Sequence, residues 1–193
     1  MSECWVQTWS GVRFDILEPS AEMVVWKDIA YSLARQCRFN GHTSRFYSVA
    51  HHCVLASKFV DGSDERYALY ALLHDAAEAY IGDLPAPVKC LLPEFKRIEY
   101  GILRAVYAKA GIPAEEQLCE ADRANVVSAV TRVDLRLLLT ERNQLMDAPP
   151  EPWPADEWCL EPVDVVIHPE PDFEVYEGRF LRRLKELGVE IEG

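Results

Sequence analysis

The chain has no run of about 18 consecutive apolar residues, so no membrane span is expected. Basic residues are scarce: 20 Lys and Arg against 32 Asp and Glu give a formal net charge of −12. That balance argues against a nucleic-acid polymer as partner, because polyanion binding rests on neutralising phosphates with a basic surface. It leaves room for a small phosphorylated substrate, since a bound cation and a few local basic groups reverse the field inside one pocket. The six cysteines show no C-x-x-C pairing, and Cys37, Cys53 and Cys90 lie among helical apolar residues. They read as reduced thiols of a cytoplasmic protein. The opening MSECWVQTWSG lacks the basic-then-apolar pattern of a signal peptide, and no internal repeat is visible. What is present, 193 residues with 49% hydrophobic content, suits one domain with a sizeable core.

The most informative stretch is Tyr67 to Lys89, YALYALLHDAAEAYIGDLPAPVK. From Ala68 to Ala79 nearly every position is apolar, which predicts a helix without a wet face running through the middle of the domain. His74, Asp75 and Glu78 break that rule and, at spacings of three and four, share one broad sector of the helix. Polar groups buried this way need a hydrogen-bonded network or a metal ion to compensate their desolvation. The loop Gly82-Asp83-Leu84-Pro85-Ala86-Pro87 stops the helix and offers a rigid wall beside the polar cluster.

The rest of the chain reads as helices in series. Trp5 to Leu17, with a turn at Ser10-Gly11, suggests a short hairpin or extended arm. Lys27 to Arg38 carries Ile29, Leu33 and Cys37 on one stripe, and Tyr47 to Val60 carries Val49, Cys53, Ala56 and Val60. His52 sits beside that second stripe, whereas His51, about 100° away, is expected to face outward. Ser63 or Asp64 caps the next helix, so the two form a hairpin able to bring His52 beside His74. Glu94 to Ala110 puts Ile98, Ile102, Leu103 and Val106 inward. Asp122 to Met146 groups Val127, Val130, Asp134, Leu137, Leu138 and Glu141 on one face, where a buried Asp134 again calls for a cation or donors. A loop rich in proline, tryptophan and acid follows (148–162), then a possible extended piece from Val163 to Ile167. The closing helix, Asp172 to Leu187, turns Phe173, Tyr176, Phe180, Leu184 and Leu187 inward and leaves Arg179, Arg182, Arg183 and Lys185 on a solvated face.

Together His52, His74, Asp75 and Asp134 bring two imidazoles and two carboxylates from three helices, a set that suits a divalent transition metal and would account for both buried acids. This order, one helical histidine, an adjacent His-Asp pair and a distant helical Asp, resembles the HD-domain metal phosphohydrolases. HDAAEAYIGDLPAPVK and CRFNGHTSRFYSVAHHCVL are similar to the bacterial 5′-deoxynucleotidase branch and to phage dATP triphosphohydrolases, and the likeness runs from about Phe14 to Leu145.

The resemblance implies an all-α fold: a single HD-domain helical bundle with a short N-terminal extended segment, its core at about 23–147 and a loop and helix at 148–193. It implies that His52, His74, Asp75 and Asp134 ligate zinc, cobalt or manganese, that Glu78 orients or deprotonates the attacking water, and that Asp83 is a second acid near the sugar. Arg38 takes the place of the phosphate-holding arginine, and Phe39 that of an aromatic, commonly tryptophan, beside base or sugar. Pro87 belongs to the wall against base or sugar, and Lys89, Arg45 and Lys58 are candidates to hold a phosphate tail. The implied activity is hydrolysis of the 5′ phosphoester of a deoxynucleotide by a homo-oligomer, with dATP favoured and shorter phosphates also cleaved. A strict 5′-deoxynucleotidase, a hydrolase of another phosphoester and a silent nucleotide-binding fold are the alternatives.

Overall fold

The structure, a computed structural model, describes residues 3–62 and 64–191. It begins with an antiparallel hairpin, β1 (Trp5–Gln7) and β2 (Arg13–Asp15), in the register Val6 opposite Phe14. Gly11, at φ 85, supplies the left-handed residue of the connecting turn. Alternation along β2 sends Phe14 into the core, where it stacks on Tyr80 with ring centroids 3.6 Å apart. Ser10 at the turn donates from its N–H and its hydroxyl to the buried Asp28 carboxylate, at 2.9 and 2.6 Å, and so ties the hairpin to the first helix.

Among the described residues eight α-helices follow: α1 (Trp26–Arg35), α2 (Val49–Phe59), α3 (Glu65–Leu73), α4 (Glu78–Ile81), α5 (Ala86–Lys89), α6 (Pro93–Lys109), α7 (Glu120–Leu145) and α8 (Phe173–Glu186). The molecule is mostly helical, as expected, and β1 and β2 make the one sheet of these residues. No helix among them is long and apolar enough to cross a membrane, and no disulfide joins any two of the cysteines. Cys90, expected among helical apolar residues, is exposed just beyond α5.

α1 ends three residues before the expected Arg38. Residues 36–38 leave the helix because their backbone pairs with 47–49: Arg38 N–H donates to Tyr47 C=O at 2.9 Å and Val49 N–H to Gln36 C=O at 3.1 Å. Ser48 caps α2 through the His51 N–H, and Asp64 caps α3 through the Arg66 N–H; Ser63, the alternative cap, lies outside the described residues. α2 and α3 form the expected hairpin, and α2 is buried from Val49 to Ser57. The central helix is not continuous. From His74 to Ala77 the hydrogen bonds tighten to three-residue steps (Ala76 N–H to Leu73 C=O 2.9 Å, Glu78 N–H to Asp75 C=O 3.0 Å) before α4 resumes, and Gly82 at φ 83 ends it.

The larger apolar core joins β2, α1, α2, α3, α6 and α8, with Ile29, Leu33, Leu72, Leu73, Ile102 and Phe180 fully buried. A smaller one joins α2, α3 and α7 with Val163 and Ile167, which run along α7 without entering a sheet: their N–H groups donate to Thr140 and Gln144 side chains. Val127 and Phe173 are exposed rather than inward, since Val126 and Val133 take the core stripe of α7, and Phe173 sits at the first turn of α8 against the edge of Phe46. Arg183 leaves the expected solvated face to donate to Ser57, at 2.6 Å to its hydroxyl and 3.1 Å to its carbonyl.

His51 also departs from expectation. It is buried between the rings of Tyr47 and Tyr176, because α8 covers the face of α2 that would otherwise meet water. Its Nδ1 has no hydrogen-bond partner among the described residues, and burial, helped by the charge of Arg179, pushes its pKa down to about 4. An unfolded histidine takes its proton near 6.5. The stability this ring contributes is therefore complete above that value and is lost as pH falls toward 4, by about 2 kcal/mol between pH 7.5 and 5. Denaturant unfolding at those two pH values should show this loss in the wild type and a smaller one in His51→Phe; equal losses would assign the acid sensitivity to other groups.

Candidate metal centre

α2, the end of α3 and the middle of α7 bring four side chains to one point. His52 comes from the buried face of α2, His74 caps the C-terminal end of α3, Asp75 follows in the tightened turn, and Asp134 lies two turns before Glu141 on α7. His52 Nε2 is 3.3 Å from His74 Nε2, 3.6 Å from Asp75 Oδ2 and 3.2 Å from Asp134 Oδ1. His74 Nε2 is 3.2 Å from Asp75 Oδ2 and 3.9 Å from Asp134 Oδ1. All four expected ligands are thus assembled.

The outer nitrogens of the two imidazoles are already committed. His74 Nδ1 donates to the Ala71 carbonyl at 2.8 Å, and His52 Nδ1 donates to Glu141 Oε1 at 2.6 Å. With those protons outward, the inner Nε2 atoms of the neutral rings present lone pairs to each other and to two carboxylates. Such a cluster needs a proton or a cation. Burial disfavours a charged His74, but the adjacent Asp75 outweighs it, with Asp134 adding to the effect, and pushes the ring up to about 9. Asp75 and Asp134 are held below the usual carboxylate range despite burial, the former by His74, His52 and Arg38 and the latter chiefly by His52. A divalent ion with bonds of about 2.0–2.2 Å sets neighbouring ligand atoms roughly 3–3.5 Å apart, close to the spacings observed, so the residues fit a metal. Cys53 also has its sulfur near His74 and Asp75, but burial and the charges of Asp75 and Glu78 hold its thiol proton firmly.

Around this cluster lies a ring of supporting groups. Arg38, in a short 3-10 turn (Arg38–Gly41), donates from Nε to Glu141 Oε2 at 3.1 Å and from Nη1 to Asp75 Oδ2 at 3.4 Å. Tyr47 donates to Glu141 Oε1 at 2.8 Å. Burial would raise the Glu141 carboxyl, but Arg38, His52 and the Tyr47 hydroxyl overcome it and keep it ionised. Glu78 accepts from Lys89 at 3.0 Å through Oε1, while Oε2 is buried without a partner among the described residues. Burial, Asp75 and Asp83 raise its pKa against the pull of Lys89. Burial also raises that of Asp83. Gln36 joins the two acids' backbones, donating to Glu78 C=O and accepting from Asp83 N–H, both at 2.9 Å.

Other expected site residues sit differently. Lys89 is held between Glu78 and Glu99, at 3.0 and 2.7 Å, rather than free for a phosphate tail. Arg45 and Lys58 are exposed, as is Pro87, which lies in the first turn of α5 rather than in a loop. Phe39 lies 6.2 Å from the ring of Trp153, and Arg38 is 5.5 Å from the Phe39 ring.

Over 141 residues the chain is 41% identical to the uncharacterized protein YfdR of Escherichia coli, covering 73% of this chain and 72% of that one. It belongs to the family of YfdR. Over 144 residues it is also 34% identical to the uncharacterized protein RCAP_rcc00048 of Rhodobacter capsulatus, covering 71% of this chain and 72% of that one. No protein-family model matches the chain.

Sequence reasoning placed Glu141 on a buried face of α7 but missed that it orients His52, and it passed over Tyr47 and Gln36. The available signal was spacing: Glu141 follows Asp134 by seven residues, two turns along the same face. Removing such an orienting carboxylate typically weakens metal affinity about 10–100-fold. Competition of purified Glu141→Gln with a chromogenic chelator for zinc, cobalt or manganese should show a loss of that order; wild-type affinity would mean that His52 is positioned without Glu141.

Proposed function

We propose that this chain is an HD-domain metal-dependent phosphohydrolase that cleaves the 5′ phosphoester of deoxynucleotides. The observation that carries this reading is the convergence of the His52 and His74 Nε2 atoms on the Asp75 and Asp134 carboxylates, with both Nδ1 protons donated away from the cluster. The strings HDAAEAYIGDLPAPVK and CRFNGHTSRFYSVAHHCVL support it by their resemblance to deoxynucleotide hydrolases. His52, His74, Asp75 and Asp134 would hold zinc, cobalt or manganese. When bound, such an ion supplies Lewis acidity toward a phosphoryl oxygen and makes water more acidic.

The chain's own residues divide the remaining work. Glu78, whose raised pKa makes its carboxylate a stronger base than free glutamate, takes the proton of the attacking water. Attack at the α-phosphorus forms a new P–O bond as the bond to the 5′ oxygen breaks. Asp83, kept protonated more readily by burial, returns a proton to that leaving oxygen. Arg38 commits two of its five N–H groups to Glu141 and Asp75 and turns the others toward charge on the phosphoryl oxygens. The products are a deoxynucleoside and the detached phosphate, which is triphosphate when the substrate is dATP.

A second reading, a strict 5′-deoxynucleotidase, draws on one observation. Lys89 is neutralised by Glu78 and Glu99, which removes a cation expected to hold the outer phosphates.

Chromatography of products from all four deoxynucleotides as mono- and triphosphates, with ATP and AMP as controls and added manganese, cobalt or zinc, decides between the two. Deoxynucleoside with intact triphosphate is the expected result, and Glu78→Ala should lower its rate about 10²–10⁴-fold. Cleavage of monophosphates alone selects the second reading; no cleavage with any metal rejects both.

A further inference from the structure

The turn that presents Arg38 carries strain that something must hold. Phe39 and Asn40 both have left-handed backbone, at φ 56 and 51. Non-glycine residues stay in that region only where their surroundings over-determine it. Backbone bonds fix the entry and exit of the turn. Arg38 N–H donates to Tyr47 C=O and His42 N–H to Phe39 C=O, both at 2.9 Å, and Ser44 N–H donates to Leu145 C=O at 2.7 Å, which ties the exit to the end of α7. The Phe39 ring has to be seated by side chains.

A partner for it comes from the loop at 148–162, which lies beyond the stretch that resembles deoxynucleotide hydrolases. Trp153 stands 6.2 Å from the Phe39 ring with planes 48° apart, within the range of an aromatic pair. Trp153 is itself locked. Its N–H donates to Asp156 Oδ2 at 2.7 Å, and its ring lies 5.3 Å from the Arg142 guanidinium. Asp156, in a 3-10 turn (Pro154–Trp158), accepts from Arg142 Nη1 and Nη2 at 2.7 and 2.8 Å. Arg142 is buried and also donates to Asn143 Oδ1 from Nε and Nη2, at 3.1 and 3.0 Å. A bidentate pair held in this way fixes orientation as well as distance.

The end of α7 therefore holds the arginine turn from two sides. Glu141 accepts from Arg38 Nε at 3.1 Å and takes the guanidinium itself. Arg142, the next residue, backs the neighbouring ring through Asp156 and Trp153. The Arg38 guanidinium lies 5.5 Å from the Phe39 ring, so a displacement of that ring reaches it directly.

We propose that Trp153, seated by the Arg142–Asp156 pair, is a positioning residue for Arg38, which makes the loop at 148–162 part of the candidate centre. The role rests on the reading of Arg38 as the phosphate-holding group, and two measurements test the clamp and that reading apart. Amide hydrogen exchange on the purified full chain reads the turn without any reaction. Exchange at His42, whose N–H closes the turn on Phe39, should quicken about tenfold in Trp153→Ala and in Asp156→Asn, and return toward the wild-type rate in Trp153→Phe, which keeps a ring in place. Unchanged exchange in Trp153→Ala overturns the clamp whatever the chain catalyses. The second measurement is kcat/KM for the deoxynucleotide that the wild type cleaves best. It should fall about tenfold in Trp153→Ala, recover in Trp153→Phe, and fall by less than about twofold when Trp153→Ala is added to Arg38→Lys. An equal fall in both backgrounds overturns the positioning role, because Trp153 then acts independently of Arg38. A wild type that cleaves no deoxynucleotide rejects the reading of Arg38, while the exchange rates still confirm or overturn the clamp on the turn.

Discussion

The candidate centre depends on one fully buried carboxylate. Glu141 accepts from His52 on α2, from Tyr47 just before it, and from Arg38 in the turn after α1. Removed from water without these donors, its charge would cost several kcal/mol. With them, a single anion on α7 fixes the orientation of one imidazole and one guanidinium at once. The same carboxylate defines which nitrogen of His52 carries the proton, and so which nitrogen is left to face His74.

Charge arrangement extends the argument outward. The chain carries a formal −12, and the centre itself gathers Asp75, Asp134, Glu78 and Asp83 within a small volume. The fold answers this concentration locally and unequally: His74, His52 and Arg38 hold Asp75 below the carboxylate range, whereas Lys89 against Glu78 offsets only part of the upward push of burial, Asp75 and Asp83. The inner face of the histidine pair has no such partner among the described residues, which is why the cluster suits a divalent cation.

Much of this was legible in the order of residues. The mostly helical character, the hairpin that pairs His52 with His74, and the turning of Asp134 toward His52 all follow from apolar periodicity interrupted by polar residues that had no other reason to be there, although the Asp134 side chain is 37% exposed where a buried acid was expected. What periodicity could not reveal depends on neighbours distant in sequence. His51 looked outward until α8 was laid across it, and Arg183 looked solvated until Ser57 of α2 was beneath it. The tightening between His74 and Ala77 leaves helical dihedrals at both ends, at His74 and Ala77, and changes only which carbonyl accepts, a distinction no hydrophobic pattern records. Lys89 could be read as free because its partner Glu99 belongs to the next helix.

The turn that presents Arg38 has a consequence of its own. Phe39 and Asn40 both sit in the left-handed region, at φ 56 and 51, followed by Gly41 at φ 78. Two non-glycine residues held there cost about 1–2 kcal/mol each, a sum supplied when the chain folds rather than when a ligand arrives. The guanidinium thus stands preorganised, with its orienting strain already spent. This tight reversal also narrows the substitutions the turn tolerates: a β-branched residue at either position would clash with its own backbone, so the freedom of this surface segment to drift in sequence is much smaller than its exposed glycine suggests.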